Sequence, residues 1–75
     1  MDFLLRRGKR FVAIEAKAGT RFRPEDAKGL DAIAELKALS RRLLVYAQCP
    51  RLTTASGVEV LGFDALIETL HRERL

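Results

Sequence analysis

The sequence predicts an α/β domain built on a mixed sheet flanked by helices, and three observations lead there. Residues 2–7 and 10–17, DFLLRR and RFVAIEAK, are two strand-like runs separated only by Gly8-Lys9. Residues 24–41 carry apolar side chains at helical spacing behind a proline. Residues 43–48, LLVYAQ, form a short apolar run with a β-branched and an aromatic residue, bounded by Cys49-Pro50. Strand, helix, strand in that order implies a parallel pair joined by a right-handed crossover.

Each element has a local cause. Glycine at the first central position suits a two-residue hairpin turn. That turn fixes the register, placing Arg7 opposite Arg10, Leu5 opposite Val12, Phe3 opposite Ile14 and Asp2 opposite Glu15. Phe3, Leu5, Val12, Ile14 and Ala16 then share one apolar face. Asp2, Leu4, Phe11, Ala13, Glu15 and Lys17 share the other, which is also mostly apolar and marks the second strand as an inner one. Pro24 suits a first helical turn, where Glu25 and Asp26 complement the helix dipole. The helical stripe runs through Ala27, Leu30, Ile33, Ala34 and Ala38, widened by Leu36 and Leu39. Gly29 is its weak point, costing about 1 kcal/mol against alanine. RLTT and VEVL around residues 55–57 predict a second small hairpin, and Asp64 or its neighbour opens a last helix in FDALIETLHRER.

Length and composition narrow the function classes. A chain of 75 residues holds one domain, 1–75, with a core of marginal size. Its 48% apolar and 32% charged content is that of a folded protein, and no apolar run approaches the roughly 18 residues that cross a bilayer. The expectation is therefore no membrane. One cysteine, Cys49, forms no internal bridge, and with no secretory leader pattern the expected location is cytoplasmic. Net charge is +4, concentrated in Arg6, Arg7, Lys9 and Arg10, in Arg21 and Arg23, and in Arg41-Arg42. The first six of these are the candidate phosphate contacts.

The hairpin register also sets chemistry. Asp2 and Glu15, opposed across the strands, repel unless something positive lies between them. Lys17 sits diagonally on the same face and can supply part of that charge, and a divalent cation, Mg²⁺ or Mn²⁺, could supply the rest. Such a cation lowers the pKa of a bound water and clamps a phosphoryl oxygen. Glu15 and Lys17 end the strand at its carboxyl end, where open α/β sheets place ligands.

An aspartate, twelve residues, then Glu-x-Lys on the next strand, followed by helix and strand, resembles the PD-(D/E)XK nuclease-like superfamily. More narrowly, DFLLRRGKRFVAIEAKAGTRFRPEDAKGL, RRLLVY and GVEVLGFDALIETL resemble the C-terminal domain of unknown function of prokaryotic AAA-type ATPases. The resemblance implies a truncated restriction-endonuclease-like core, β-hairpin–α–β followed by a small hairpin and a C-terminal helix. The helix and strand that open the superfamily core would be absent. It implies that Asp2 and Glu15 hold the metal and that Lys17 assists the attacking water.

Three functional expectations follow. The leading one is a non-catalytic interaction or regulatory module of an ATPase family. The alternative is a metal-dependent phosphodiesterase cutting DNA or RNA at Asp2, Glu15 and Lys17. A basic nucleic-acid-binding module is the third. Expected partners are a second copy of the chain, nucleic acid or another protein, with homodimerisation expected through an exposed sheet edge. His71 reads as a favourable charge at a helix end, Tyr46 as core, and Cys49 lacks an evident base.

Overall fold

A computed structural model of the chain describes residues 3–72. Strands β1 (Phe3–Arg7) and β2 (Arg10–Ala16) form the expected hairpin, and every described pair stands in the expected register. Gly8 has φ +65°, the left-handed conformation that a primed turn requires and that glycine adopts without penalty. Asp2, and with it the Asp2–Glu15 pair, lies outside the described residues.

A 3₁₀ turn (Pro24–Ala27) runs into a short helix α1 (Lys28–Ala32), and β3 follows at Leu39–Tyr46. β4 (Leu52–Thr53) and β5 (Glu59–Gly62) make the small hairpin, and α2 (Phe63–His71) packs behind it. The five strands lie in the order β1-β2-β3-β5-β4. β2, β3 and β5 run parallel, and the two outer strands are antiparallel to their neighbours. The mixed sheet and its parallel crossover are as the sequence predicts.

The helix expected over 24–41 is shorter than its periodicity suggests, and β3 starts four residues before the expected 43. The reason lies across the sheet. β2 is seven residues long, and a partner beginning at Leu43 would leave Phe11 to Ala13 without a neighbour on that side. Residues 39–42 fill the gap: Leu39 pairs with Phe11, and Arg41 and Arg42 pair with Val12 and Ala13, past a bulge that skips Ser40. The Phe11 N–H donates to the Ala38 carbonyl at 2.8 Å, and the Ser40 hydroxyl donates to the Phe11 carbonyl at 3.1 Å. Long-range pairing outweighs the modest helix propensity of the segment. Ala34, Leu36 and Ala38, assigned to the helical stripe, are exposed instead.

Both faces of the central strands are buried. On one, Val12, Ile14, Leu43, Val45 and Leu61 pack beneath Leu66 of α2, with Leu5 and Ala65 at the margin. On the other, Ala13, Leu44, Tyr46 and Val60 pack beneath Ala27 and Leu30, joined by Val58. These are the two faces that alternation assigns to β2. At roughly 25 cal/mol per Å², burying side chains of this size contributes about 1.5–3 kcal/mol each.

Arg41 and Arg42, expected after a helix, serve as braces on β3. The Arg42 guanidinium donates to the Leu30 carbonyl of α1, to the Asp31 carboxylate and to the Ser56 carbonyl. Arg41 makes a two-pronged pair with Glu59 on β5, at 2.8 and 2.6 Å. The hydrogen bonds from Arg41 hold the Glu59 carboxyl below its ordinary range, against the opposing effect of burial. A depressed folded-state pKa contributes stability above the unfolded value, and that stability is lost as pH falls through the folded one. Arg41→Met is expected to cost about 1–3 kcal/mol at neutral pH. It should also flatten the loss of stability below about pH 4.5. Urea unfolding of both chains at pH 7 and pH 3 checks this, and an unchanged difference between the two pH values would contradict it.

Candidate functional site

β2 ends at Ala16, and the chain leaves the sheet as a loop over residues 17–23 before Pro24. Three hydrogen bonds hold that loop on β3. The Lys17 N–H donates to the Val45 carbonyl at 2.8 Å, and the Ala47 N–H donates to the Gly19 carbonyl at 3.1 Å. The Arg23 N–H donates to the Tyr46 hydroxyl at 3.2 Å. A cavity of about 530 Å³ opens there, lined by Lys17, Gly19, Thr20, Arg21, Arg23 and Asp26 among others. It lies at the carboxyl end of a central parallel strand, where this class of sheet places its ligands.

Glu15 and Lys17 share the face of β2 that packs under α1. Glu15 is only 6% exposed, an unusual position for a carboxylate. Its Oε2 lies 3.2 Å from the Lys17 ammonium, whose side chain reaches solvent. Its Oε1 lies 3.1 Å from where a Cβ on residue 29 would stand. Glycine at position 29, a weak point in helix terms, therefore leaves α1 room to approach the acid. Any larger side chain would push on the carboxylate.

Of the sequence-predicted site residues, the structure brings together Glu15, Lys17, Arg21 and Arg23. Arg6, Arg7, Lys9 and Arg10 lie around the hairpin tip, at the opposite end of β2. At about 3.3 Å per residue, a seven-residue strand separates the two cationic groups by roughly 20 Å. Asp2 lies outside the described residues. Among the described residues, no group of three or more His, Cys, Asp or Glu could hold a metal ion. Glu15 is a hard oxygen donor of the class Mg²⁺ takes, and it is the acid of the expected pair that the described residues contain.

Sequence reasoning missed the part played by Tyr46 and Asp26. Tyr46 is buried at the end of β3, as a core residue would be, yet its hydroxyl donates to the Asp26 carboxylate at 2.6 Å. It also accepts from the Arg23 backbone, so one phenol ties the loop, the 3₁₀ turn and the sheet together. A tyrosine ending a buried strand, with an aspartate in the crossover above it, was the available signal.

Burial, then the hydrogen bond to Asp26, pushes the Tyr46 pKa up to about 12. A raised folded-state pKa contributes stability that is complete below the unfolded value near 10 and is lost as pH climbs through the folded one. Tyr46→Phe is expected to destabilise the domain by about 1–3 kcal/mol at pH 8, since Asp26 and the Arg23 N–H lose a partner. The gap between the two chains should narrow between about pH 10 and 12. Thermal unfolding across that range reads it, and a constant gap would contradict this account of the phenol.

Comparison with known proteins gives a family without an activity. No solved structure matches the chain. A curated relative from Oceanobacillus iheyensis, named putative N-acetylmannosamine-6-phosphate 2-epimerase, is 37% identical over 71 residues. The match takes in 95% of this chain and 31% of that protein, so the chain spans about a third of the relative's length. The model of the domain of unknown function DUF4143 matches residues 1–66, and the chain belongs to that family.

Proposed function

We propose that this domain is a nuclease-like, non-catalytic module that binds nucleic acid by its phosphates in the cleft beside Lys17. The single observation behind the reading is the cleft's charge. Lys17, Arg21 and Arg23 line it, while its one lining carboxylate, Asp26, is engaged by the Tyr46 hydroxyl. Cations on a loop already tied to the sheet lose little freedom on meeting an anion, which favours binding. The resemblance to the C-terminal domain of AAA-type ATPases supports a regulatory setting for such binding. The nuclease-like part of the reading draws on the resemblance of the Glu-x-Lys hairpin to the PD-(D/E)XK superfamily, for which a β-hairpin, crossover and parallel strand are expected.

A second reading, the metal-dependent phosphodiesterase, is favoured by the hairpin register. The Phe3–Ile14 pair is the described neighbour of the position where Asp2 would meet Glu15. In that reading Asp2 and Glu15 would hold Mg²⁺ or Mn²⁺, and the ion when bound supplies an activated water and charge neutralisation. Lys17, paired with Glu15 at 3.2 Å, would orient the attacking group. The burial of Glu15 between α1 and the sheet, already paired with Lys17, weighs toward the binding role. The name of the epimerase relative suggests a sugar phosphate as an alternative anion, on weaker support, because the chain spans only 31% of that protein.

Fluorescence anisotropy with a labelled oligonucleotide separates these readings. Binding through three cations should give a log–log salt slope of about −2 to −3. Arg21→Glu with Arg23→Glu should lower affinity tenfold or more. The double change Arg6→Glu, Arg7→Glu, at the far end of β2, should cost less. Absence of binding at roughly 100 µM chain in low salt would overturn the proposal. Displacement by millimolar sugar phosphate would redirect it to the small anion. Mn²⁺-dependent cleavage that vanishes in Glu15→Gln would replace it with the phosphodiesterase.

A further inference from the structure

β1 is the least covered element of the sheet. It pairs with β2, and no other described strand pairs with its outer edge. Two of its side chains, one on each face, are largely exposed: Phe3, on the α2 side, by 60% and Leu4, on the α1 side, by 52%. α2 touches β3 and β5, and a helix about 10 Å wide covers only two strands spaced by about 4.8 Å. The far edge, β4, is two residues long and too short to template another chain.

We infer that β1 is a self-pairing edge, and that two copies of this chain join β1 to β1 antiparallel about a two-fold axis through Leu5. The two-residue turn determines which backbone groups are available. The residues flanking it, Arg7 and Arg10, exchange both hydrogen bonds, and the ladder then alternates. Arg7, Leu5 and Phe3 therefore point their backbone groups at β2, whereas Leu4 and Arg6 point theirs outward. With the axis on Leu5, Leu4 of one copy meets Arg6 of the other, so each outward-pointing residue finds an outward-pointing partner. Leu5 meets its own copy in a pair without direct hydrogen bonds, where side chains stand closest.

Charge selects the same arrangement. In FLLRR a parallel pairing would oppose Arg6 to Arg6 and Arg7 to Arg7, which destabilises. The antiparallel one keeps the arginines of the two copies apart and gathers Phe3 and Leu5 of both copies on one face. A five-residue strand pair is a small interface, so the dimer belongs to the weak, concentration-dependent class.

Sedimentation of the 75-residue chain from about 1 µM to 1 mM tests this, together with cross-linking. The expected result is a monomer–dimer equilibrium shifted at least tenfold toward monomer by Leu4→Pro. Proline there removes an outward N–H and leaves the β2 ladder intact, and circular dichroism confirms that the fold persists. In a Cys49→Ala background, Leu5→Cys should oxidise to a disulfide-linked dimer, because Cα atoms in such a pair are about 4.5 Å apart. Leu4→Cys should not. A chain that stays monomeric at 1 mM overturns the proposal. A dimer that ignores Leu4→Pro, or that cross-links through Ile67→Cys and not Leu5→Cys, also overturns it and moves the contact to α2. A monomer whose apolar groove beside α2 binds a hydrophobic dye overturns it too, and gives that face to a different polypeptide.

Discussion

Pairing of β2 with β3 is the constraint on which the rest of the domain depends. It is the longest strand contact in the sheet, running from Phe11–Leu39 to Ala16–Val45, and both strands are covered on both faces. Their alternating side chains form both cores at once: Val12, Ile14, Leu43 and Val45 on one side, Ala13, Leu44 and Tyr46 on the other. A small domain has little apolar surface to bury. Two strands that each serve two cores make the most of it. The requirement that β3 run the full length of β2 shortens the crossover helix, and the early start of β3 carries Arg41 and Arg42 to their bracing positions. The same pairing ends beside Lys17, where the loop is tied to Val45.

The acid at the end of β2 makes sense only in this setting. A carboxylate 6% exposed beneath a helix is costly unless it is paired. Lys17 pairs it from the same face, and Gly29 opens α1 to make room. A chain selected for stability alone could place an apolar residue at 15 and an alanine at 29, gaining packing and helix propensity together. The chain instead keeps an acid at 15 whose partner, Lys17, lines the cleft. Glu15 holds the Lys17 ammonium near the cleft, and the phenol of Tyr46 does the equivalent for the loop bearing Arg21 and Arg23. Position, not charge alone, distinguishes these cations from those at the hairpin tip.

What could be read from the sequence followed physical range. The hairpin, its register and both faces of β2 were legible because a two-residue turn and a period of two are local. α2 and the β4–β5 turn were legible for the same reason. The parallel crossover followed from element order alone. The true start of β3 was not legible, since residues 39–42 become strand only when β2 lies alongside. Glu15 and Lys17 stand beside the loop that carries Arg21 and Arg23, and the arginines of the hairpin tip lie at the other end of β2. The Tyr46–Asp26 bond spans twenty residues and has no local signature.

The uneven covering of the sheet has a functional consequence of its own. One short helix on each side shields β3 with its nearest neighbours and leaves Phe3 and Leu4 of β1 exposed, so most of the apolar surface lies away from the cationic loop. The cleft opens from the loop after β2 on the α1 side. The groove floored by Leu5 and Ile14 lies on the α2 side, walled by Phe63, Ile67 and Leu70. The α2 residues stand at helical spacing with Leu66, yet Leu66 alone among the four is buried. The apolar stripe of α2 therefore looks sideways along the sheet toward β1, as well as down onto β3 and β5. A contact at β1 away from Phe63 leaves Lys17, Arg21 and Arg23 uncovered, whereas one that reaches Phe63 adjoins Lys17, since those two residues line a further cavity together. Association through β1 and anion binding in the cleft, if both occur, would meet only at that Lys17–Phe63 border.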